Sequence, residues 1–295
     1  MTREFRPIAT PTRTVEIMRA HDIQMKKSLG QNFLVEPRML EKMIEAGQVD
    51  ATTTVIEIGP GIGALTEYLA RHAKRVLAFE IDQRFVTILA ETLADYDNVQ
   101  VVHRDILSVD FAEPEFAWLK DEEKLIVVAN LPYYITTPII MNLIASGLPF
   151  QSLVMMMQKE VAERMTASVG TKAYNSLTVA IQNEMESDIA FIVPKNVFIP
   201  KPNVDSAVLR LKRRLQPQVE VSDNEAFQRF VQNAFKQRRK TLWNNLKSAY
   251  VNEAYAAEQL EQALERVGIQ ATRRAETLTI QEFAQLFEAM NVVEQ

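Results

Sequence analysis

The chain has 295 residues, of which 47% are hydrophobic, a formal net charge of -5 and no cysteine. Its length exceeds the roughly 100–200 residues of one domain and allows for two, while the missing thiols exclude disulfides, cysteine nucleophiles and cysteine zinc sites. His21, His72 and His103 lie in separate segments without ligand spacing, so no metal centre is expected. With no run of about 18 apolar residues and no leader-like start, the expectation is a soluble, cytoplasmic protein.

Residues 1–25 read as an N-terminal extension with a short helix, "RTVEIMRAH", to which the sequence assigns no role. Helix-like and strand-like stretches then alternate. "PRMLEKMIEAG" is a helix closed by Gly47, "TTVIEIG" a strand, "GALTEYLARHA" a helix and "RVLAFEI" a strand. "RFVTILAETLADY" is again a helix, and "NVQVVHRD" and "KLIVVANL" are strands. Such alternation predicts a mainly parallel sheet covered by helices on both faces. "SLVMMMQ", "AFIVP" and "SAVLRLKRR" add strands, with room for an antiparallel one at the edge, and Met155 to Met157 read as strand core.

Beyond Arg214 the polar stretch "LQPQVEVSDN" marks a domain boundary, and the rest of the chain is helical. The expected division is therefore 1–25, 26–214 and 215–295. Phe227, Phe230, Val231, Ala234 and Phe235 form one apolar stripe. Gly268 closes a later helix, and Thr279 with Glu282 make a capping box. The run "KQRRKTLWNNLK" carries Lys236, Arg238, Arg239, Lys240 and Lys247 with no carboxylate. A solvated helix face is its plainest meaning.

Candidate chemistry gathers at the ends of four strands. Gly59, Gly61 and Gly63 come after the first with G-x-G-x-G spacing and open a helix, which lets a ligand approach the backbone. Glu57 precedes that loop. Glu80 ends the second strand, 21 residues after Gly59, where a carboxylate accepts ribose hydroxyls. Asp105 ends the third, where it can accept from an adenine amine. Capping or surface pairing is the bland alternative for either acid alone. The combination describes an S-adenosylmethionine site. At the fourth strand end, "ANLPYY" sets Asn130 and the Leu131 carbonyl to accept both N–H groups of a target amine, with Tyr133 stacked on its aromatic base.

The quoted motifs, with "KKSLGQNFL", "FEID", "RDIL", "MMMQKEVAERM" and "FIPKPNVDSAVLRL", occur in an order that resembles the KsgA family of small-subunit ribosomal RNA adenine dimethyltransferases. The resemblance covers essentially all of the chain after Met25. It implies a Rossmann-like α/β class I methyltransferase domain, with a seven-stranded, mainly parallel sheet, and a small C-terminal all-helical domain. It implies that Asn32 and Leu34 close over the cofactor, that Gly59, Gly61, Gly63, Glu80, Asp105, Ile106 and Asn130 line its site, and that Pro132 belongs to the catalytic motif with Asn130, Leu131 and Tyr133. Phe198 would be a second aromatic wall for the flipped adenine, with core packing as its alternative.

The implied activity is dimethylation of N6 on two adjacent adenines in the 3′-terminal hairpin of 16S ribosomal RNA, on a 30S assembly intermediate and by a monomer. The basic run then becomes an RNA-backbone contact, with Trp243 packing inside. Rival readings are an Erm-like enzyme for large-subunit RNA, a DNA adenine methyltransferase, a nicotinamide-dependent dehydrogenase, and an assembly factor without essential catalysis.

Overall fold

A computed structural model of the chain describes residues 6–23, 32–131, 135–251 and 256–293. The elements run α1 (Pro11–Ala20), β1 (Phe33–Leu34), α2 (Pro37–Gly47), β2 (Thr54–Ile58), α3 (Ala64–His72), β3 (Arg75–Glu80), α4 (Gln83–Thr92) and β4 (Val99–His103). Then come β5 (Leu125–Asn130), α5 (Thr136–Ala145), β6 (Ser152–Gln158), α6 (Lys159–Met165), α7 (Ser176–Glu184), β7 (Met185–Val193), β8 (Phe198–Ile199) and β9 (Ser206–Arg213). The helices α8 (Asn224–Ala234), α9 (Leu242–Tyr250), α10 (Ala257–Arg266) and α11 (Ile280–Val293) complete the chain.

Local chemistry sets many of these boundaries. The side chains of Glu36, Asp82, Asn175, Asp223 and Thr241 accept backbone N–H bonds at the starts of α2, α4, α7, α8 and α9. The Thr279–Glu282 capping box forms, with Glu282 N–H donating to Thr279 Oγ1 (3.1 Å) and Thr279 N–H to Glu282 Oε2 (2.7 Å). Gly268 closes α10 at φ 69°. The stop after α2 differs from expectation, because Gln48 takes the left-handed conformation (φ 51°). At Gly47 the chain is closely packed instead: a Cβ there would press Val49 Cγ2 at 3.2 Å.

Among the described residues the large sheet has seven strands, in the order β4-β3-β2-β5-β6-β9-β7. Neighbours from β4 to β6 are parallel and β9 is antiparallel to β6, so β7, not the antiparallel β9, forms the edge. Register aligns the carboxyl ends: Ile58 stands opposite Phe79 and Ala129, and Glu80 opposite His103. Residues on four different strands thereby reach one edge. Met155, Met156 and Met157 are buried strand core, as read from the sequence.

The chain divides into two compact units. One holds Met1–Ala162 and Asp188–Arg213, the other Glu163–Ser187 and Arg214–Gln295. The second unit resumes at Arg214, the last residue placed at first with the sheet, and it also takes in Glu163–Ser187. The reason is burial. Ala167, Tyr174 and Val179 find their apolar partners in the core of α8, α9, α10 and α11, where Phe230 packs its ring 5.7 Å from Phe287 and 6.5 Å from Phe283. Within residues 6–23 the short helix expected there forms as α1, and Ile8, Ala9, Thr14 and Ile17 are buried.

A candidate cofactor site and a basic turn

A cavity of about 610 Å³ opens at the carboxyl edge of β2, β3, β4 and β5. That volume suits a ligand of nucleoside size. Gly59, Gly61 and Gly63 bend the chain from β2 into α3, all at positive φ (70°, 59° and 92°). Beyond the strain of positive φ, the space around them differs. A Cβ on Gly63 would meet Leu89 and Leu93 at 3.2 Å, and one on Gly61 would meet Phe33 at 3.4 Å, whereas one on Gly59 would point into open space.

Glu80, 5% exposed, ties this loop to the sheet. Gly61 N–H donates to Glu80 Oε2 (3.2 Å) and Asp82 N–H to Glu80 Oε1 (2.9 Å). Each oxygen keeps a lone pair for a ligand hydroxyl. Burial raises the Glu80 pKa, against the opposing pull of these backbone donors. Asp105 caps the short helix Ile106–Ser108 through Leu107 N–H (3.0 Å), so the capping role foreseen for it coexists with its place on the cavity wall.

Asn32, Leu34, Ile106, Asn130 and Leu131 line the same cavity. Leu34 is brought there by the antiparallel pairing of β1 with β8, which sets it opposite Phe198. Phe198 is buried in the apolar core and also lines the cavity. Leu131 N–H donates to the Met156 carbonyl (3.3 Å), fixing the exit of β5. Pro132 and Tyr133 lie outside the described residues.

Several cavity residues were not chosen from the sequence, Ile81 and His103 among them. Ile81 comes directly after Glu80 with its side chain 65% exposed, an apolar group facing the cavity and not a core. His103 Nε2 donates to the Ile81 carbonyl (3.1 Å) and holds that rim. The available signal was an isoleucine next to the strand-ending acid. Glu57, noted only as an acid before the loop, is 1% exposed and lines the cavity from β2. Its Oε2 has no hydrogen-bond partner. Burial pushes its pKa up to about 8; the Thr66 hydroxyl nearby opposes the rise without hydrogen-bond geometry, and the Glu80 carboxylate adds to it.

In the second unit the basic run departs from the helix expected of it. Helix α8 ends at Ala234, and Lys236, Arg238, Arg239 and Lys240 lie exposed in the turn before α9. Asn245 on α9 builds that turn: its Nδ2 donates to the carbonyls of Ala234 (2.8 Å) and Gln237 (3.1 Å), and Gln237 N–H donates to its Oδ1 (3.1 Å). Lys247 is exposed on α9, with its Nζ 5.9 Å from the centre of the Trp243 ring, which packs on the helical core.

A loop with positive-φ glycines, a carboxylate at the next strand end and an amide at the fourth are now joined in one cavity. Residues 23–291 match the model of a family described as ribosomal RNA adenine dimethylase. The chain belongs to that family. It is 50% identical over 287 residues to the ribosomal RNA small subunit methyltransferase A of Enterococcus faecalis, across 97% of each chain. Identity to the protein of that name from Listeria innocua is 53% over 282 residues, across 95% of each chain. Among solved structures it is similar to a dimethyladenosine transferase from Plasmodium falciparum (TM-score 0.73, 27% identity, 88% of this chain and 98% of the other). It is also similar to the 23S rRNA methyltransferase ErmE (TM-score 0.66, 27% identity, 88% and 99%).

The fold is that of S-adenosylmethionine-dependent methyltransferases, and the cavity fits this cofactor. Glu80 offers acceptors for a diol, Ile81 an apolar face, and Glu57 an unpartnered oxygen free to accept a hydrogen bond.

These carboxylates lead to two expected outcomes. Glu80→Ala removes a charged acceptor and the anchor of Gly61, so cofactor affinity should fall roughly 10- to 150-fold, from about 1.5–3 kcal/mol; titration calorimetry reads it directly. Glu57→Gln should change the pH dependence of stability. Below pH 4.5 the Glu57 carboxyl is protonated in both folded and unfolded chains. From there to about pH 8 only the folded chain keeps the proton, so the wild type loses stability by up to about 1.4 kcal/mol per pH unit. A glutamine side chain does not titrate, so urea midpoints of the variant should gain on the wild type over that window and then level off.

Proposed function

We propose that this chain transfers methyl groups to N6 of two adjacent adenines in the 3′-terminal hairpin of small-subunit ribosomal RNA, on an assembling small subunit, acting as a cytoplasmic monomer. The observation that carries the choice of subunit is identity of 50–53% over nearly the whole chain to relatives named for the small subunit, against 27% to ErmE.

S-adenosylmethionine supplies, when bound, a methyl group on a cationic sulfur. The residues of the chain position what receives it. Asn130 ends β5 beside β2, on the cavity wall, and its side-chain oxygen and the Leu131 carbonyl are assigned to the two N–H groups of the adenine amine. Accepting both bonds localises the nitrogen lone pair that the ring would otherwise draw in. Tyr133 and Phe198 are assigned to the two faces of the base, where stacking contributes about 1–3 kcal/mol. No general base is needed, since the proton leaves after nitrogen becomes cationic. Arg238, Arg239 and Lys240, exposed in the turn held by Asn245, are assigned with Lys236 and Lys247 to RNA phosphates.

The deciding experiment supplies labelled S-adenosylmethionine with unmethylated small subunits, large subunits or duplex DNA. Label confined to the small-subunit hairpin is expected, and label in the large subunit would establish the Erm-like reading instead. In single-turnover assays Asn130→Ala should slow transfer at least about tenfold with little change in RNA affinity, because a bond strengthened in the transition state appears in the rate. Replacing Arg238, Arg239 and Lys240 by alanine should reduce the salt dependence of RNA binding by up to roughly three units and leave cofactor affinity alone.

A further inference from the structure

Residues 6–23 have no part in the motifs that define the family resemblance, yet they pack against the back of the cofactor cavity. Ile8 and Ile17 belong to one buried cluster with Phe33, Ile62 and Phe85. Those three side chains also line the cavity. Phe33 and Phe85 meet edge to face, 6.1 Å between ring centres, and Phe33 is the side chain that a Cβ on Gly61 would touch. The N-terminal isoleucines thus support the outer side of a wall whose inner side faces the ligand.

A second link is polar. Ile8 N–H donates to Glu67 Oε2 (2.9 Å), a buried carboxylate in the first turn of α3, and Glu67 N–H itself donates to the Gly63 carbonyl (2.9 Å). Two hydrogen bonds therefore connect the N-terminal segment to the glycine loop. The segment is rigid enough to transmit this restraint. Thr10 caps α1, Pro11 occupies its first turn, and the buried Thr14 hydroxyl donates to the Ile8 carbonyl (2.8 Å). At the other end His21 Nε2 lies 3.4 Å from Glu91 Oε2 on α4, the helix whose Thr92 hydroxyl donates to the Ile62 carbonyl (3.2 Å).

We propose that residues 6–23 are a working part of the cofactor site: a strut that holds the Gly59–Gly63 loop and the Phe33–Phe85 wall in binding geometry. Ile8 and Ile17 are positioning residues, which act through Ile62, Phe33 and Glu67. Their effect falls on cofactor affinity, not on methyl transfer or RNA recognition. The proposal rests on the cavity being the S-adenosylmethionine site.

The test uses the full chain with Ile8→Ala and Ile17→Ala together, Ile8→Val and Ile17→Val together, and Leu209→Ala as a control in the core of β9. Calorimetry with S-adenosylmethionine and S-adenosylhomocysteine, at a temperature where each variant is folded, is combined with turnover at saturating cofactor and with RNA binding. The alanine pair should weaken both ligands about tenfold, raise the cofactor KM in proportion, and leave kcat and RNA affinity within twofold. The valine pair should recover most of that loss, and Leu209→Ala should lower Tm with cofactor affinity unchanged. Should the alanine pair not fold, amide exchange of residues 59–64 in the folded valine pair carries the test, with faster exchange there expected. Wild-type affinity in the alanine pair, or wild-type exchange in the valine pair, makes the segment inert. Weaker RNA binding alone makes it an RNA-contacting arm, and an equal affinity loss in Leu209→Ala makes the effect one of general stability. Each of these overturns the proposal. Failure of the wild type to bind S-adenosylmethionine would instead remove the cofactor reading on which it stands.

Discussion

The hydrogen bond from the Gly61 amide to the Glu80 carboxylate, 3.2 Å long, joins the two halves of the cofactor cavity. It crosses from the loop after β2 to the end of β3, and it forms because parallel register brings Ile58 opposite Phe79. Larger residues in the glycine loop would be strained by positive φ at three positions, and at Gly63 a Cβ would press Leu89 and Leu93 at 3.2 Å. One bond therefore sets where the loop amides face, where the carboxylate stands, and how the chain enters α3. Asn130 and Asp105 then arrive at the same edge through their own strands, and the sheet needs no loop–loop contact to assemble the wall.

The second unit solves a different problem. A turn that presents four exposed cations repels itself, so its backbone must be fixed by something other than those side chains. Asn245 supplies that, buried beneath the turn and bonded to Ala234 and Gln237 on both sides of the break after α8. The aromatic core under it, with Phe230 among Phe283, Phe287 and Tyr250, gives Asn245 a rigid base. Charge outside and a satisfied amide inside make the cations a surface feature that costs the core nothing.

The alternation of strands and helices and the acids at the strand ends were legible because they depend on local pattern: buried runs such as "LIVVAN" with a polar residue at the end have few other uses. What escaped depends on partners distant in sequence. Ala167, Tyr174 and Val179 look like continuing α/β texture, and only their packing against α8 and α11 moves Glu163–Ser187 into the helical unit. Helix α8 stops at Ala234 although the apolar spacing runs on to Phe235, because Asn245 captures the Ala234 carbonyl. Gln48 replaced the glycine expected at the stop of α2, and Ile81 was marked only by its place after the strand-ending Glu80. The same holds for Ile8 and Ile17, whose partners Ile62 and Phe85 lie far along the chain.

Glu57 is the place where local rules and global stability conflict, and the conflict has a direction. A carboxyl buried on a central strand, with one oxygen unpartnered and a second carboxylate close by, lowers the stability of the folded chain at neutral pH. An apolar residue in its place, like Val55 and Ile56 before it, would serve the sheet better. Groups that cost stability are kept where a site uses them. The strand order says which use is available here: Glu80 stands on β3, Asn130 on β5, and Glu57 on β2 between them. A ligand that reaches from the end of β3 to the end of β5 must pass over β2. Glu57, neutral below about pH 8, keeps one oxygen there without a partner, so a polar or cationic group of a bound ligand passing over β2 would offset its cost.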